Sequence, residues 1–320
     1  MDFYSLQLSG RQPIPAPQPS EMMMNQRFTG IHAVLYALYQ PDGRLWREGM
    51  RQQVERCLAC GVDGIVVLGL ATEVAKLTEA ERRQVIDWAV EDIAGRTPLG
   101  VTIYGNSVIE QIELLGHAQD AGASWLILQP PVFGAYGAAE TIRTFGSVAD
   151  AARIPVAIQN APALMGRGLT GADIATLVQR HPVITHLKGE MPVLEVERIV
   201  AAGEGRLVVL NGQGGLEMMD NIRAGADGFV LAPDVVDKAV LIWRAMQAGD
   251  ERLAEALYQQ MLPASVFGMR SLEHLLVYGK RIFGLRAGLE IADRAPSLPT
   301  SDFGLMLAQR YADAFGAMPD

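Results

Sequence analysis

The feature that most constrains this chain is a joint written three times. The stretches CGVDGIVVL (60–68), AGASWLILQ (121–129) and AGADGFVLA (224–232) each set a glycine after an amphipathic run and follow it within a few residues by a short apolar one. Glycine takes the left-handed backbone that stops a helix, and an unbroken apolar run suits a strand covered on both faces. Helix-to-strand joints of this kind belong to parallel α/β architectures. Further apolar runs at 30–36, 98–103, 154–160, 183–188 and 206–211 bring the strand candidates to about eight, the number that closes a barrel.

Helix starts support the same reading. Thr78 with Glu81 and Ser107 with Glu110 have the S/T-x-x-E spacing of a capping box, and Thr170 with Asp173 is a shorter-armed version. Strand and helix alternate from about 30 to about 237; past Pro233 only helical periods remain, at 234–247, 251–261, 268–283 and 301–315. An open doubly wound sheet would alternate in the same way, but the strand count and the missing Gly-x-Gly-x-x-Gly turn favour the barrel. The expected fold is therefore an α/β (β/α)8 TIM barrel over 28–237, with a C-terminal helical extension over 238–320. Residues 1–27, with Pro13, Pro15, Pro17 and Pro19 and no apolar period, read as an N-terminal tail.

Composition narrows the partner. With 320 residues, 49% of them hydrophobic, the chain can bury a large core. A formal net charge of −9 argues against nucleic acid or an anionic membrane, which need clustered Lys and Arg, and so favours a small-molecule partner. The two cysteines, Cys57 and Cys60, leave no disulfide framework, which suits a reducing compartment; with no second ligand pair in sight they read as core residues one helical turn apart. No apolar run reaches the ~18 residues of a membrane span, and the N-terminus lacks the order of a signal peptide, so a cytoplasmic location is expected.

In such barrels the chemistry sits where strands end. The sixth strand candidate, VITHLKGE, ends in Lys188. An amine there is desolvated, which favours the neutral nucleophile; the alternative is a lysine snorkelling out of the barrel mouth or paired with Glu190. The second strand runs into Gly69-Leu70-Ala71-Thr72-Glu73, where Gly69 admits close backbone approach and the amides near Thr72 and Glu73 could receive a carboxylate, or which is a plain tight turn. The fifth ends in Gln159 and Asn160, polar groups for a substrate or for loop backbone. Tyr104, Asn106, Tyr136, Asn211, Gly212 and Gln213 stand after other strands with the same two readings open.

Taken together these places resemble the dihydrodipicolinate synthase / N-acetylneuraminate lyase family of Schiff-base barrels, over nearly all of 28–315. The likeness lies in the GVDGIVVLG…E…LT..ER run (61–82), Pro130–Pro131, the IPVAIQNAP strand and the H-L-K-G-E strand. It implies that Lys188 is the imine-forming lysine, that no metal or organic cofactor is needed, and that the chain is a homotetramer. Departures bear on the reaction. The usual G-T-T-G-E loop reads Gly-Leu-Ala-Thr-Glu here, Gln159 stands where a proton-relaying tyrosine is usual, and Val132 stands for a second tyrosine. A glutamine has no titratable proton, so that relay cannot operate unchanged and dihydrodipicolinate synthase activity itself is not expected.

The Q-x-A-P motif and altered loop are similar to the branch containing 2-keto-3-deoxy-L-arabonate dehydratase. The expectation is a lyase on a 2-oxo acid, dehydrating a 2-keto-3-deoxy sugar acid. Lys188, Gln159 and Glu190 would carry the chemistry, with the substrate held by Gly69, Ala71, Thr72, Glu73, Asn160, Asn211 and Gly212. Glu190 and the Thr72–Glu73 loop are the candidate proton carriers. A pyruvate-releasing retro-aldolase and a non-catalytic 2-oxo-acid-binding homologue are the alternatives.

Overall fold

The structure, a computed structural model, describes residues 26–131, 134, 136–203 and 205–320. Most of the proline-bearing tail, and Val132, lie outside the described residues. Eight strands form a closed parallel barrel: β1 Gly30–Val34, β2 Gly64–Val67, β3 Leu99–Ile103, β4 Trp125–Leu128, β5 Val156–Asn160, β6 Ile184–Gly189, β7 Val208–Asn211 and β8 Gly228–Leu231. Each pairs with its sequence neighbour, and β8 returns to β1. A helix follows each strand in turn: α1 Arg47–Ala59, α2 Glu79–Ile93, α3 Val108–Ala121, α4 Ala138–Ala149, α5 Gly171–Arg180, α6 Val193–Gly203, α7 Met218–Arg223 and α8 Val236–Gln247. The barrel expected from the strand count is the fold observed.

The repeated joint has the predicted cause. Gly61, Gly122 and Gly225, one at each joint, have φ of 75°, 116° and 90°, the left-handed turn that releases the chain from helix into strand. Thr78–Glu81 and Thr170–Asp173 both form reciprocal capping boxes. Ser107 caps Glu110 N, but the Glu110 carboxylate reaches one residue further back, to Asn106 N at 2.8 Å.

Beyond the barrel come α9 Glu251–Gly268, a helical rod over 272–287 called α10, and α11 Asp302–Phe315. Helix α9 runs seven residues past its expected end because Pro263 is absorbed within it. The rod α10 starts later than expected, and its middle turn, Leu275–Gly279, widens to π geometry between α-helical ends. Such widened turns are frequent at functional sites. The cysteines sit in the core as read: both are buried and free, and burial pushes the Cys57 thiol well up and that of Cys60 to about 12. Among the described residues no helix is long and apolar enough to cross a membrane.

The extension is fastened to the barrel through buried polar groups. Arg286 on α10 makes two hydrogen bonds to the Asp237 carboxylate, at 2.9 and 2.6 Å, and a third to the Asp234 carbonyl. The Asp234 side chain accepts from Tyr36 Oη at 2.9 Å. Burial disfavours its charged form and raises its pKa to about 6, against the opposing Tyr36 hydrogen bond. Because the folded state then holds a proton that the unfolded chain has lost, the contribution of Asp234 to stability is full below the ordinary carboxylate range and is lost as pH rises through 6. Asp234→Asn keeps an acceptor for Tyr36 and removes the titration. The variant is expected to lose the wild-type decline of roughly 2–3 kcal/mol between about pH 4 and 7, read by urea unfolding at a series of pH values. A variant curve that still tracks the wild type would assign the decline to another group.

Candidate active site

Strand register assembles the centre of the site. In the β5–β6 ladder Gln159 lies opposite Lys188, and Lys188 lies opposite Leu210 of β7. Neighbours in register on parallel strands point to the same face, so the amide and the amine enter the barrel mouth side by side. Two residues past Lys188 the chain leaves the strand, and Glu190 turns its carboxylate back: its Oε2 accepts from Lys188 Nζ at 2.7 Å and from Gln159 Nε2 at 2.8 Å. All three side chains are buried. Gln159 Oε1 has no protein hydrogen-bond partner among the described residues. A buried acceptor in that state is costly unless something donates to it, and a substrate hydroxyl or protonated imine is a suitable donor. The space for Glu190 depends on Gly212, where an added Cβ would stand 2.7 Å from Glu190 Oε1.

The lysine is thus both readings at once, a strand-end amine and the partner of Glu190. The amine and the carboxylate stand 2.7 Å apart, in direct contact for a proton to pass between them.

The loop after β2 departs from its expected role. The Thr72 hydroxyl donates to the Leu35 carbonyl at 2.6 Å, and the Thr72 and Glu73 amides close turns onto Gly69 O and Leu70 O. These groups are committed to the fold and do not offer a carboxylate cradle. Gly69 is needed for packing, since a Cβ would lie 2.7 Å from Val34 Cγ2. Glu73, held at φ 54°, turns away from Lys188 and forms a buried cluster with Lys280 of α10 and Lys76, the latter at 2.5 Å. Both of its oxygens are taken by these lysines, so in this arrangement it anchors the C-terminal rod. Of the loop's residues, Leu70 and Ala71 line the chamber at Lys188.

Asn160 and Asn211 are also spent on backbone. Asn160 exchanges hydrogen bonds with Leu169 N and O, and Asn211 spans Gly189 O, Met191 O and Gly212 N. They hold the turns after β5, β6 and β7 in place. Tyr104 lies under the Arg82 guanidinium, 4.4 Å from it, the Asn106 amide goes to Glu110, and Tyr136 is exposed. Gln213, with φ 53°, does reach the Lys188 chamber.

Lys280 is the residue that sequence reading missed. It is 1% exposed; desolvation lowers its pKa and Glu73 opposes that shift. Its signal was present, since it lies three and four residues from Val277, Leu276, Phe283 and Gly284 on a face that helical spacing makes apolar. Lys280→Met is expected to cost about 3–5 kcal/mol, because it leaves Glu73 buried with less compensation. Adding Glu73→Gln should recover a large part of that loss in denaturant unfolding. A double variant as unstable as the single would show that the cost is not electrostatic.

Two spaces meet here. A small chamber of about 30 Å³ touches Lys188, Glu190 and Ala71. A larger cavity of about 610 Å³ adjoins it, and Leu70, Leu164 and Leu272 border both.

The sequence profile of the Dihydrodipicolinate synthetase family matches residues 27–300. YagE of Escherichia coli K12, named as a candidate 2-dehydro-3-deoxy-D-gluconate aldolase, is 29% identical over 250 residues, covering 75% of this chain and 82% of its own. A 4-hydroxy-tetrahydrodipicolinate synthase of Methanoculleus marisnigri is 29% identical over 242 residues, covering 74% of this chain and 82% of the relative. Among solved structures, a candidate dihydrodipicolinate synthetase from Pseudomonas aeruginosa superposes with a TM-score of 0.85 at 25% identity, covering 90% of this chain and 99% of that one. YagE in complex with pyruvate superposes with a TM-score of 0.82 at 26% identity, covering 89% and 98%. With a profile match over most of its length, and the strands, loops and barrel closure of the same fold, this chain belongs to the dihydrodipicolinate synthetase family and is an enzyme of the Schiff-base lyase and aldolase kind.

Proposed function

We propose that Lys188 forms an imine with the C2 carbonyl of a 2-keto-3-deoxy acid, and that the enzyme then removes the C4 hydroxyl as water. The observation that carries this reading is the Gln159–Glu190–Lys188 arrangement, in which one carboxylate touches the amine and is steered by an amide. Glu190 first takes the ammonium proton, so that the free amine adds to C2; it then returns that proton to the carbinolamine hydroxyl, which leaves as water to give a protonated imine and the Glu190 carboxylate. The imine draws electrons from C3, the Glu190 carboxylate accepts the C3 proton, and an enamine results. Its electron pair forms the C3–C4 double bond as the C4–oxygen bond breaks, and the acid form of Glu190 returns its proton to the departing hydroxide. Hydrolysis of the unsaturated imine frees a 2-oxo-3-enoic acid and restores the amine; where C5 carries a hydroxyl, two proton shifts, from C5 and its hydroxyl to C3 and C4, turn that product into the 2-oxo acid semialdehyde. The electron sink is the imine, so the sequence requires no further cofactor.

The likeness to the 2-keto-3-deoxy-L-arabonate dehydratase branch supports the sugar-acid form for the reacting end of this substrate, C1 to C4. The name carried by YagE favours a second reading, in which the same lysine serves retro-aldol cleavage of C3–C4 with release of pyruvate. Incubation with 2-keto-3-deoxy-pentonate separates them: a semialdehyde without pyruvate supports dehydration, and pyruvate in a coupled assay overturns it in favour of cleavage. A homotetramer is part of the same proposal, supported by the exposed apolar side chains Phe303 and Met306 on α11, and light scattering that gave a monomer would overturn it.

A further inference from the structure

From the outer cavity we infer that the preferred substrate carries a bulky apolar group, branched alkyl or aryl, on C4. The inference rests on the Lys188 reading for the reacting end, C1 to C4, and concerns what lies beyond it. The cavity's volume of about 610 Å³ falls within the ~300–1,000 Å³ of pockets that enclose drug-sized ligands. A one-carbon hydroxymethyl terminus would leave most of it unused.

Its walls indicate what fills it. Leu164 and Met165 come from the short helix after β5, Leu272, Leu276 and Val277 from the rod α10, and Leu298 from the segment before α11. Leu272 and Leu276 stand four residues apart on one face of the rod, so three separate chain segments converge to present aliphatic carbon to one space. The polar groups at the border are few: Gln129, whose buried Oε1 has no partner among the described residues, Ser297, and charged groups held by other parts of the chain, among them Glu273 on Ser271. Glu73 is held between Lys280 and Lys76, Lys76 also donates to the Arg294 carbonyl, and Arg167 donates to the carbonyls of Pro131 and Gly134 at 2.7 and 2.8 Å. A polyol chain entering here would give up water for leucine side chains, whereas an apolar group would gain by the same exchange. Leu70, Leu164 and Leu272, which border both spaces, set the cavity directly beside the chamber of Lys188 and Glu190, within reach of a C4 substituent.

The test is a series of 4-hydroxy-2-oxo acids alike at C1–C4 and carrying hydroxymethyl, isopropyl or phenyl at C4, with kcat/KM measured for each. The expected result is a value at least about tenfold higher for the apolar members than for hydroxymethyl. Leu298→Gln, at a part-exposed loop position, and Leu276→Gln should each move that ratio toward one. A preference for the hydroxymethyl substrate, equal values across the series, or a ratio unmoved in both folded variants would overturn the inference while leaving imine chemistry in place. Failure of pyruvate and borohydride to leave an adduct on Lys188 of the wild-type enzyme would remove the Lys188 reading and the inference with it.

Discussion

Lys188→Ala, incubated with pyruvate and reduced with borohydride, is expected to gain no mass where the wild type gains one pyruvate-derived adduct. Turnover of the dehydration substrate should fall by about 10⁴–10⁶, the scale on which loss of a covalent nucleophile is felt. The physical reason is that without the imine no electron sink stands next to C3, and a neighbouring acid or base cannot supply one. The fold should tolerate the change, since removing Lys188 leaves Glu190 still hydrogen-bonded to Gln159. Peptide mapping matters because a second buried lysine, Lys280, lies behind the loop after β2. Trapping at wild-type efficiency in the variant, or an adduct mapped to Lys280, would overturn the assignment.

Glu190→Gln should separate imine formation from elimination. The introduced amide keeps the size of the side chain and can still accept from Gln159, but it carries no proton between C3 and the C4 hydroxyl. A fall in kcat of about 10²–10⁴ is expected, with the pyruvate adduct still trapped on Lys188 after long incubation but formed more slowly, because the amine must then lose its proton to water. A kcat within threefold of wild type would place the proton carrier elsewhere.

The sequence was most legible where chemistry and chain direction coincide. Apolar runs after Gly61, Gly122 and Gly225 become strands because a left-handed glycine and an unbroken apolar segment admit few other local solutions. Lys188 and Gln159 could be placed because strand ends are countable, and register then brings them together. The loop after β2 was read less well. Thr72 and Glu73 have the right functional groups for a substrate cradle, but their partners, Leu35 O and Lys280, lie 37 and 207 residues away in the chain. Local pattern names a group without naming what it binds. The roles of Asn160 and Asn211 were indeterminate for the same reason, since a buried amide bracing a turn and one facing a ligand look alike until the turn is seen. The outer cavity was the least legible feature, because its walls are ordinary helical leucines whose common destination appears only after the rod α10 folds back over the barrel mouth.

The division of labour around that rod has a consequence for how such an enzyme can change. The reacting groups stand on β5 and β6, while much of the wall beyond them is supplied by residues 272–298, outside the eight-strand shell. Substitutions in the second set can alter what is accepted without disturbing the first. The limit is Lys280, whose bond to Glu73 makes one turn of the rod a structural foundation of the barrel mouth. Drift in substrate range is therefore cheap at Leu276 and Leu298 and costly a single helical turn away.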